Sequence, residues 1–473
     1  MAAAAFLPLL GARDLDAPLA WRHGEPTSAR RFLADAAAAA STIPPSARGV
    51  IDLCPNRYDF AVVMAAALTR GLPTLMPPNA MASTLALVQR EHAGSWIVEK
   101  LEAPGASDVA TPAATTATTP TTEPALIDAG QLAAVLLTSG STGVPVPHGR
   151  TWGSVVANAQ AQASRMADVL GRRNLEGLTL VATVPAQHSY GFESSVTLAL
   201  LGGAAFDDSR PFYPADIVDA LARVPRPRAL VTTPFHLKTL LASGIAALPA
   251  VDVIVSATAP LSPQLAAQAE GALGGPLFEV YGCTEAGQVA TRRTTASPTW
   301  TTYGDLRITR QQAPRHAGDE GDAAETYSVH GGHVLEPTPL ADILELDDDR
   351  HFRLLGRSGD LIHVAGRRSS LGHLNHHLNS IPGVDDGAFW MPDDDAAGGP
   401  STGVTRPVAF VVAPTLDAAA ITRALHERID PVFVPRRIVM LDALPHNETG
   451  KITAATLRDL ARRHGLDTSH GQR

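Results

Sequence analysis

Short apolar runs alternate with amphipathic segments along most of this chain. Residues 49–77, GVIDLCPNRYDFAVVMAAALTRGLPTLMP, pass from an apolar strand through an asparagine-containing turn and an alanine-rich helix into a second short strand. That order predicts a βαβ unit, which builds parallel sheets with helices packed on them. SWIVEK (95–100) predicts a further strand. The pattern returns in LTLVATVP (178–185), RALVTTP (228–234) and VDVIVSATAP (251–260), each a β-branched run ending in a polar or proline-containing turn before an Ala/Leu-rich helix. In such sheets a ligand sits beyond the carboxyl ends of the strands. Those ends carry residues 138–143, 185–191, 232–234 and 256–260, so four separate stretches are expected to meet at one crevice.

The texture changes near residue 356. HFRLLGRSGDLIHVAGRRSS (351–370) reads as a hairpin, and a strand (406–413), a helix (416–429) and a strand (436–442) follow. The expected fold is therefore α/β: a large N-terminal domain of parallel and mixed sheets with packed helices over 1–357, then a small, mobile C-terminal α+β domain over 358–473. The Ala/Thr/Pro-rich tract at 103–124 has no apolar face to bury. It is expected to be a surface loop within the large domain, because the strand-like LAAVLLT follows closely.

Composition narrows the function classes. The chain has 473 residues, 45% of them hydrophobic, enough for two or three domains. Lys plus Arg number 38 and Asp plus Glu 47, a net charge of -9 that argues against nucleic acid or anionic membrane as a partner. Two cysteines, Cys54 and Cys283, cannot build a disulfide framework, so a reducing cytoplasm is expected. The apolar start MAAAAFLPLL has no Lys or Arg before it, so no secretory leader is expected. No apolar run approaches the roughly 20 residues that span a bilayer.

Candidate chemistry begins at TSGSTGVP (138–145). Its glycines let the backbone approach an anion closely, and successive N–H groups form an anion nest. No Gly-Lys-Ser/Thr triplet follows, so this is not a Walker A loop. Taken alone, the stretch reads equally well as a Ser/Thr/Gly-rich surface turn. Six further stretches follow in order: PAQHSYG (185–191), SATAPLS (256–262), YGCTEAG (281–287), Asp342 placed 14 residues before Gly356, GRSGDLIHVAGRR (356–368) and LPHNETGKI (444–452). Together the seven resemble the motifs of the adenylate-forming superfamily, which contains acyl-CoA synthetases, nonribosomal peptide adenylation domains and luciferases. The similarity spans nearly the whole chain, with Thr258 in a position where the family carries glycine.

The resemblance implies a chemistry. A carboxylate is a poor electrophile, and joining it to AMP creates a good leaving group. Attack on the α-phosphate of ATP with loss of pyrophosphate is catalysed mainly by positioning and by neutralising charge. By resemblance, Thr138, Ser139, Gly140, Ser141, Thr142 and Gly143 would cradle the β- and γ-phosphates. Thr284 would bond the α-phosphate, Glu285 would hold Mg²⁺, and Tyr281 would stack on adenine. Thr258 would line the nucleotide site, Asp342 and Arg357 would hold the ribose, and Lys451 would reach the transferring oxygens. Gly359 and Asp360 would form the interdomain hinge, and Gly366 would line a pantetheine tunnel for the second, thioester-forming step. Read without the resemblance, Asp342 is an ordinary turn residue and Arg357 a surface charge.

Three departures from the family pattern stand out. Val146 replaces a lysine of the phosphate loop, leaving His148 or Arg150 as candidate replacements. Gly359 replaces the first of two acidic hinge residues, and Asn375 replaces an acidic residue of the small domain. The wording VPVPHGRTWG and PAQHSYGFE resembles aryl-acid ligases of aryl polyene and xanthomonadin-type pigment synthesis, which implies a hydroxybenzoate-like acid passed to an acyl carrier protein. His188, Tyr190, Phe192 and Phe235 are the expected walls of a flat acid pocket, although such aromatics fit an ordinary core equally well. The histidines of HLNHH (373–377) read as a solvated helix face, and Arg436 and Arg437 as either solvated charges or a carrier-protein contact. The expected activity is that of an AMP-forming ligase using ATP, Mg²⁺ and a phosphopantetheine thiol on CoA or a carrier protein. Alternatives are a fatty or short-chain acyl-CoA ligase and a non-catalytic nucleotide-binding homologue.

Overall fold

Asn56 caps the helix Arg57–Thr69 by accepting a hydrogen bond from the Asp59 N–H, which starts the helix directly after the strand Gly49–Asp52. The helix is buried on nearly every side from Arg57 to Leu68, as expected of one sandwiched between layers. The strand Thr74–Met76 then pairs in parallel with Gly49–Asp52, giving the βαβ unit its sequence predicts. This is a computed structural model, and it describes residues 5–101, 123–139, 145–312, 325–357, 361–364, 367–392, 406–446 and 452–466. Most of the low-complexity tract, residues 103–122, lies outside them.

Two sheets dominate the large part. The first has five described strands in the order Ser95–Val98, Gly49–Asp52, Thr74–Met76, Leu132–Ser139, Pro145–Thr151; all are parallel except the last. The second has eleven described strands. Its centre is parallel, running through Thr179–Ala182, Arg228–Thr232, Val253–Ser256 and Leu277–Cys283. Beyond that it turns antiparallel through Gly287–Arg292, Trp300–Thr302, His351–Arg357 and Asp342–Leu346. Four fully buried residues in each of Thr179–Ala182 and Val253–Ser256 explain their continuous apolar runs, since both faces are covered. The expected mixed α/β architecture is thus present. The strands Pro18–Arg22 and Glu25–Ser28, which extend the far edge of the second sheet, were not read from the sequence.

Arg57 bolts the buried helix to the second sheet. Its guanidinium donates to the carbonyls of Ala182, Val184, Asp207 and Ser209 and to the hydroxyl of Ser195. Burial pulls it down to about 10, so it remains a cation at neutral pH.

The smaller C-terminal part has its own apolar clusters, around Leu374, Leu378, Phe389 and Val411 and around Trp390, Phe410 and Leu460. Its sheet pairs Asp386–Trp390 antiparallel with Val408–Val412, which pairs in parallel with Arg437–Met440. The helices Leu371–Asn379, Ala418–His426 and Ala454–Arg463 accompany it. The Asn375 amide oxygen accepts the Phe389 N–H at 2.6 Å, tying helix to sheet without the acidic residue that the sequence comparison led one to expect. The Ser370 hydroxyl caps the helix Leu371–Asn379 and donates to the Leu355 carbonyl of the large sheet. Gly356 permits that approach, since a Cβ there would lie 1.9 Å from the Ser370 hydroxyl. Among the described residues, no helix is long and apolar enough to cross a membrane.

Candidate active site

The strand Leu132–Ser139 runs out at the stretch expected to bind phosphate, and residues 140–144 lie outside the described set. The return strand Pro145–Thr151 pairs Leu136 with His148 and Ala134 with Arg150. The Thr138 hydroxyl lies 3.1 Å from His148 Nε2, and the same nitrogen is 3.9 Å from Glu285 Oε1. Burial lowers the His148 pKa, with Glu285 opposing. Arg150 reaches elsewhere: its guanidinium donates to the main-chain carbonyls of Thr284 and of Glu285, the latter at 3.0 Å. One of the two candidate replacements for the missing lysine therefore holds backbone, while the other stands between a hydroxyl and a carboxylate.

Thr284 and Glu285 sit in the turn of a hairpin formed by Leu277–Cys283 and Gly287–Arg292. The glycines of YGCTEAG are required by geometry. A Cβ on Gly282 would lie 2.3 Å from the Gly287 carbonyl oxygen, and Gly287 has φ +79°. The turn leaves the Glu285 side chain 49% exposed, so its carboxylate is free to meet a cation. The donor chemistry fits Mg²⁺, which takes one or two protein carboxylates and completes its shell with phosphate oxygens and water. Burial pushes the Cys283 thiol up to about 12 and the Cys54 thiol higher still, so neither is a ready nucleophile.

The 14-residue spacing from Asp342 to Gly356 turns out to be a hairpin register. Asp342 pairs with Arg357 and Ile343 with Gly356 across the strands Asp342–Leu346 and His351–Arg357. The Tyr281 hydroxyl donates to Asp342 Oδ2 at 2.7 Å. Its ring is nearly buried against Trp300 and Phe352, with centroids 5.8 and 5.5 Å away. In this structure Tyr281 orients the aspartate, a role the sequence reading did not assign to it. Thr258, in its expected glycine position, has φ +81°, a left-handed conformation that costs a threonine of order 1–3 kcal/mol.

The segment 185–191 shows the same logic. A Cβ on Gly191 would lie 1.9 Å from the Pro185 carbonyl oxygen, so only glycine closes this turn. His188 precedes the short helix Ser189–Gly191, and Tyr190 sends its hydroxyl to the carbonyls of Thr232 and Val255. The residues expected to wall the acid pocket sit in different surroundings. Phe192 is 1% exposed and packs edge-on against Phe60 in the core. Phe235 lies on the helix Pro234–Ala242 against Phe212 and His446. Between the helix Trp152–Val169 and the sheet lies a cavity of about 30 Å³, room for about one or two waters, lined by Ser194, Leu198, Val255, Val280, Gln288 and Tyr303 among others. None of His188, Tyr190, Phe192 or Phe235 lines it. Ser194 and Gln288 line it, and sequence reasoning named neither.

Lys451, Gly359, Asp360 and Gly366 lie outside the described residues, as do residues 140–143; the side chains of Ser139 and Arg357 do too. The described chain stops at His446 before Lys451 and resumes at Ile452. His446 Nε2 is 2.6 Å from Asp386 Oδ2, and Lys238 Nζ is 3.3 Å from Asp386 Oδ1. Burial pushes the Asp386 carboxyl up, but His446 and Lys238 outweigh it and hold the group below the usual carboxylate range. His373 and His377 touch ring to ring at 4.6 Å, yet no cluster able to hold a metal occurs among the described residues. Arg437 donates to the His464 carbonyl at 3.2 Å.

Two family models match this arrangement: AMP-binding enzyme over residues 47–313, and AMP-binding enzyme C-terminal domain over 379–451. The chain belongs to the AMP-binding enzyme family. The adenylate-forming resemblance of the sequence is thereby confirmed. Among the AMP-binding relatives is a 4-coumarate–CoA ligase of Halorhodospira halophila, 29% identical over 67% of this chain and 73% of the relative. A salicylyl-CoA synthase / salicylate adenylyltransferase of a Streptomyces species is 26% identical over 71% of this chain and 64% of the relative. A phosphinothricin tripeptide synthetase of Streptomyces viridochromogenes is also among the matches, 27% identical over 85% of this chain and 39% of the relative. The anthranilate CoA ligase AuaEII in complex with anthranoyl-AMP superposes with a TM-score of 0.74 at 17% identity, over 97% of this chain and 96% of that one, which shows the shared fold.

Proposed function

We propose that this AMP-binding enzyme activates an aromatic carboxylic acid as its adenylate and then passes the acyl group to a phosphopantetheine thiol, on CoA or on an acyl carrier protein. The observation carrying this reading is the Thr138–His148–Glu285 contact, which brings the phosphate stretch beside the Thr284–Glu285 turn, with the Tyr281–Asp342 pair on the same sheet as that turn. Relatives named for 4-coumarate and salicylate support the aromatic choice.

In this reading the acid's carboxylate oxygen bonds to the α-phosphorus of ATP and the bond to pyrophosphate breaks. Residues 138–143 and Thr284 supply donors to the phosphates, and Lys451 brings a compact cation to the oxygens where charge develops. Magnesium held at Glu285 would neutralise part of the phosphate charge when bound. Arg150 fixes the backbone that carries Thr284 and Glu285, so both arrive in register with the phosphate stretch. Asp342, steered by Tyr281 and paired along its strand with Arg357, accepts the ribose hydroxyls. Thiol sulfur then attacks the acyl carbon, AMP leaves, and the thiol proton is lost to solvent or base. We take residues 358–473 as the unit that repositions between the two steps about Gly359 and Asp360, with Gly366 beside the incoming pantetheine. Two unpaired thiols support a reducing, cytoplasmic setting.

An ATP–pyrophosphate exchange panel across aromatic and aliphatic acids tests the reading. Exchange driven by hydroxybenzoates and cinnamates supports it. Exchange with aliphatic acids alone replaces it with a fatty or short-chain ligase, and no exchange with any acid points to a non-catalytic nucleotide binder. Mass spectrometry of a carrier protein and of CoA after incubation with the acid and ATP identifies the acceptor.

A further inference from the structure

Val146 and His148 stand on the same side of their strand pair as Thr138. Thr138 pairs with Val146 and Leu136 with His148, and in a sheet paired residues and residues two apart share a face. The position where the family pattern carries a lysine is thus an exposed valine, and the next position on that face is an imidazole. Arg150, the next again, is turned onto the carbonyls of Thr284 and Glu285. Of these three, His148 is the one whose side chain meets a side chain of the phosphate stretch.

Its contacts define what it can do. His148 Nε2 lies 3.1 Å from the Thr138 hydroxyl and 3.9 Å from Glu285 Oε1. The carboxylate on this side favours a hydrogen on Nε2, in the neutral ring as in the cation. The nitrogen then donates to Thr138 Oγ1, which leaves the hydroxyl hydrogen free to be donated elsewhere. A hydroxyl that accepts from a fixed donor is aimed, whereas an unsupported one rotates. Donors set in advance hold an anion more tightly, because less freedom is lost on binding. The His148 side chain is 14% exposed against 49% for Glu285, so the ring stands behind the open carboxylate rather than in solvent.

We propose that His148 is a positioning residue of the nucleotide site, donating to the Thr138 hydroxyl so that this hydroxyl presents its hydrogen to the β- and γ-phosphates of ATP. It does through an aimed hydroxyl what a lysine at 146 would do through charge. The proposal rests on the reading of residues 138–143 as the phosphate stretch, and it is independent of which acid is activated.

The test is calorimetric binding of ATP and of AMP with no acid present, so that no turnover occurs. His148→Ala is expected to weaken ATP by about tenfold or more and to leave AMP unchanged. A histidine that only packs would weaken both nucleotides equally, and that result overturns the proposal. The ATP loss is expected with Mg²⁺ and with EDTA alike; a loss confined to Mg²⁺ places the effect on Glu285 and also overturns it. Thr138→Val is expected to weaken ATP as well, and the double variant to bind ATP within about twofold of Thr138→Val alone, because both changes act through one hydroxyl. Losses that multiply overturn the proposal. Should His148→Ala not fold, His148→Phe, which keeps a ring and drops the nitrogens, takes its place. ATP affinity unchanged in Thr138→Val defeats the phosphate-stretch reading and this proposal with it, whereas affinity lost in Thr138→Val and kept in His148→Ala defeats the role of His148 alone.

Discussion

Arg57 and Asp386 both tie one part of the molecule to another, and they do so in opposite ways. Arg57 is 2% exposed and spends its guanidinium on four carbonyls and a hydroxyl, locking the buried helix to the large sheet. Asp386 links the small part to the helix Pro234–Ala242 through Lys238, whose side chain is 37% exposed, and Gln264 adds one bond to the Ser380 carbonyl at 3.3 Å. Buried, multiply bonded links hold elements permanently, whereas half-exposed ion pairs contribute little and release easily. The segment from Ala182 to Ser195 is thus held by the rigid tie, while Asp386 gives the part bearing Lys451 a loose one beside its Ser370–Leu355 bond.

The largest expected effect breaks the rigid side. Arg57→Ala strands several buried carbonyls and is expected to cost about 3–5 kcal/mol, read as a lowered denaturation midpoint; a loss under about 1 kcal/mol would make the two ties equivalent. Next, Lys451→Ala is expected to slow adenylate formation by about 100- to 1,000-fold in pyrophosphate exchange while leaving the melting temperature unchanged. An unaltered rate would remove the small part from the first half-reaction. Arg150→Ala frees the Thr284–Glu285 turn, so kcat should fall about tenfold or more and the Mg²⁺ requirement rise. A change in ATP affinity alone would instead place Arg150 on phosphate.

Acidification sharpens the contrast. Burial lowers His236, His333 and His377 to about 4. The unfolded chain binds their protons below about 6.5 while the folded one does not, so stability should fall as pH drops from about 6.5 towards 4. Melting at pH 7.5 and 5.0 checks this, and His236→Gln should reduce the difference. Asp386 behaves differently, because its carboxyl is depressed in the fold. Its contribution is complete above the unfolded value of about 4 and disappears only as pH falls through the lower folded value. The smallest effect is that of Asp386→Asn, about 1 kcal/mol or less in stability, visible mainly as a few-fold change in the balance of adenylate and thioester formation.

Much of this was legible in the order of residues. The β-branched runs at 178–185, 228–234 and 251–260 became parallel strands because both their faces are covered, and the Asp342–Gly356 spacing became a hairpin register. The glycines at 191 and 282 proved to be close approaches of backbone to backbone, while Gly287 has a left-handed φ and faces the side chains of Glu193, Asn158 and His333. Arg57 was illegible because its partners are main-chain carbonyls more than a hundred residues away, which no side-chain pattern announces. The surroundings of the expected pocket residues were illegible for a related reason. Phe235 follows a strand end as a pocket residue would, but its neighbours Phe212 and His446 come from distant segments.

Ser370 and Leu355 carry one last implication. The strand that pairs with Asp342 is the same strand to which the first C-terminal helix is fastened, two residues from Arg357. If the terminal portion swings as proposed, it must either break that fastening or pull on the ribbon proposed to hold the sugar, so nucleotide grip and the changeover between half-reactions would be mechanically geared to each other.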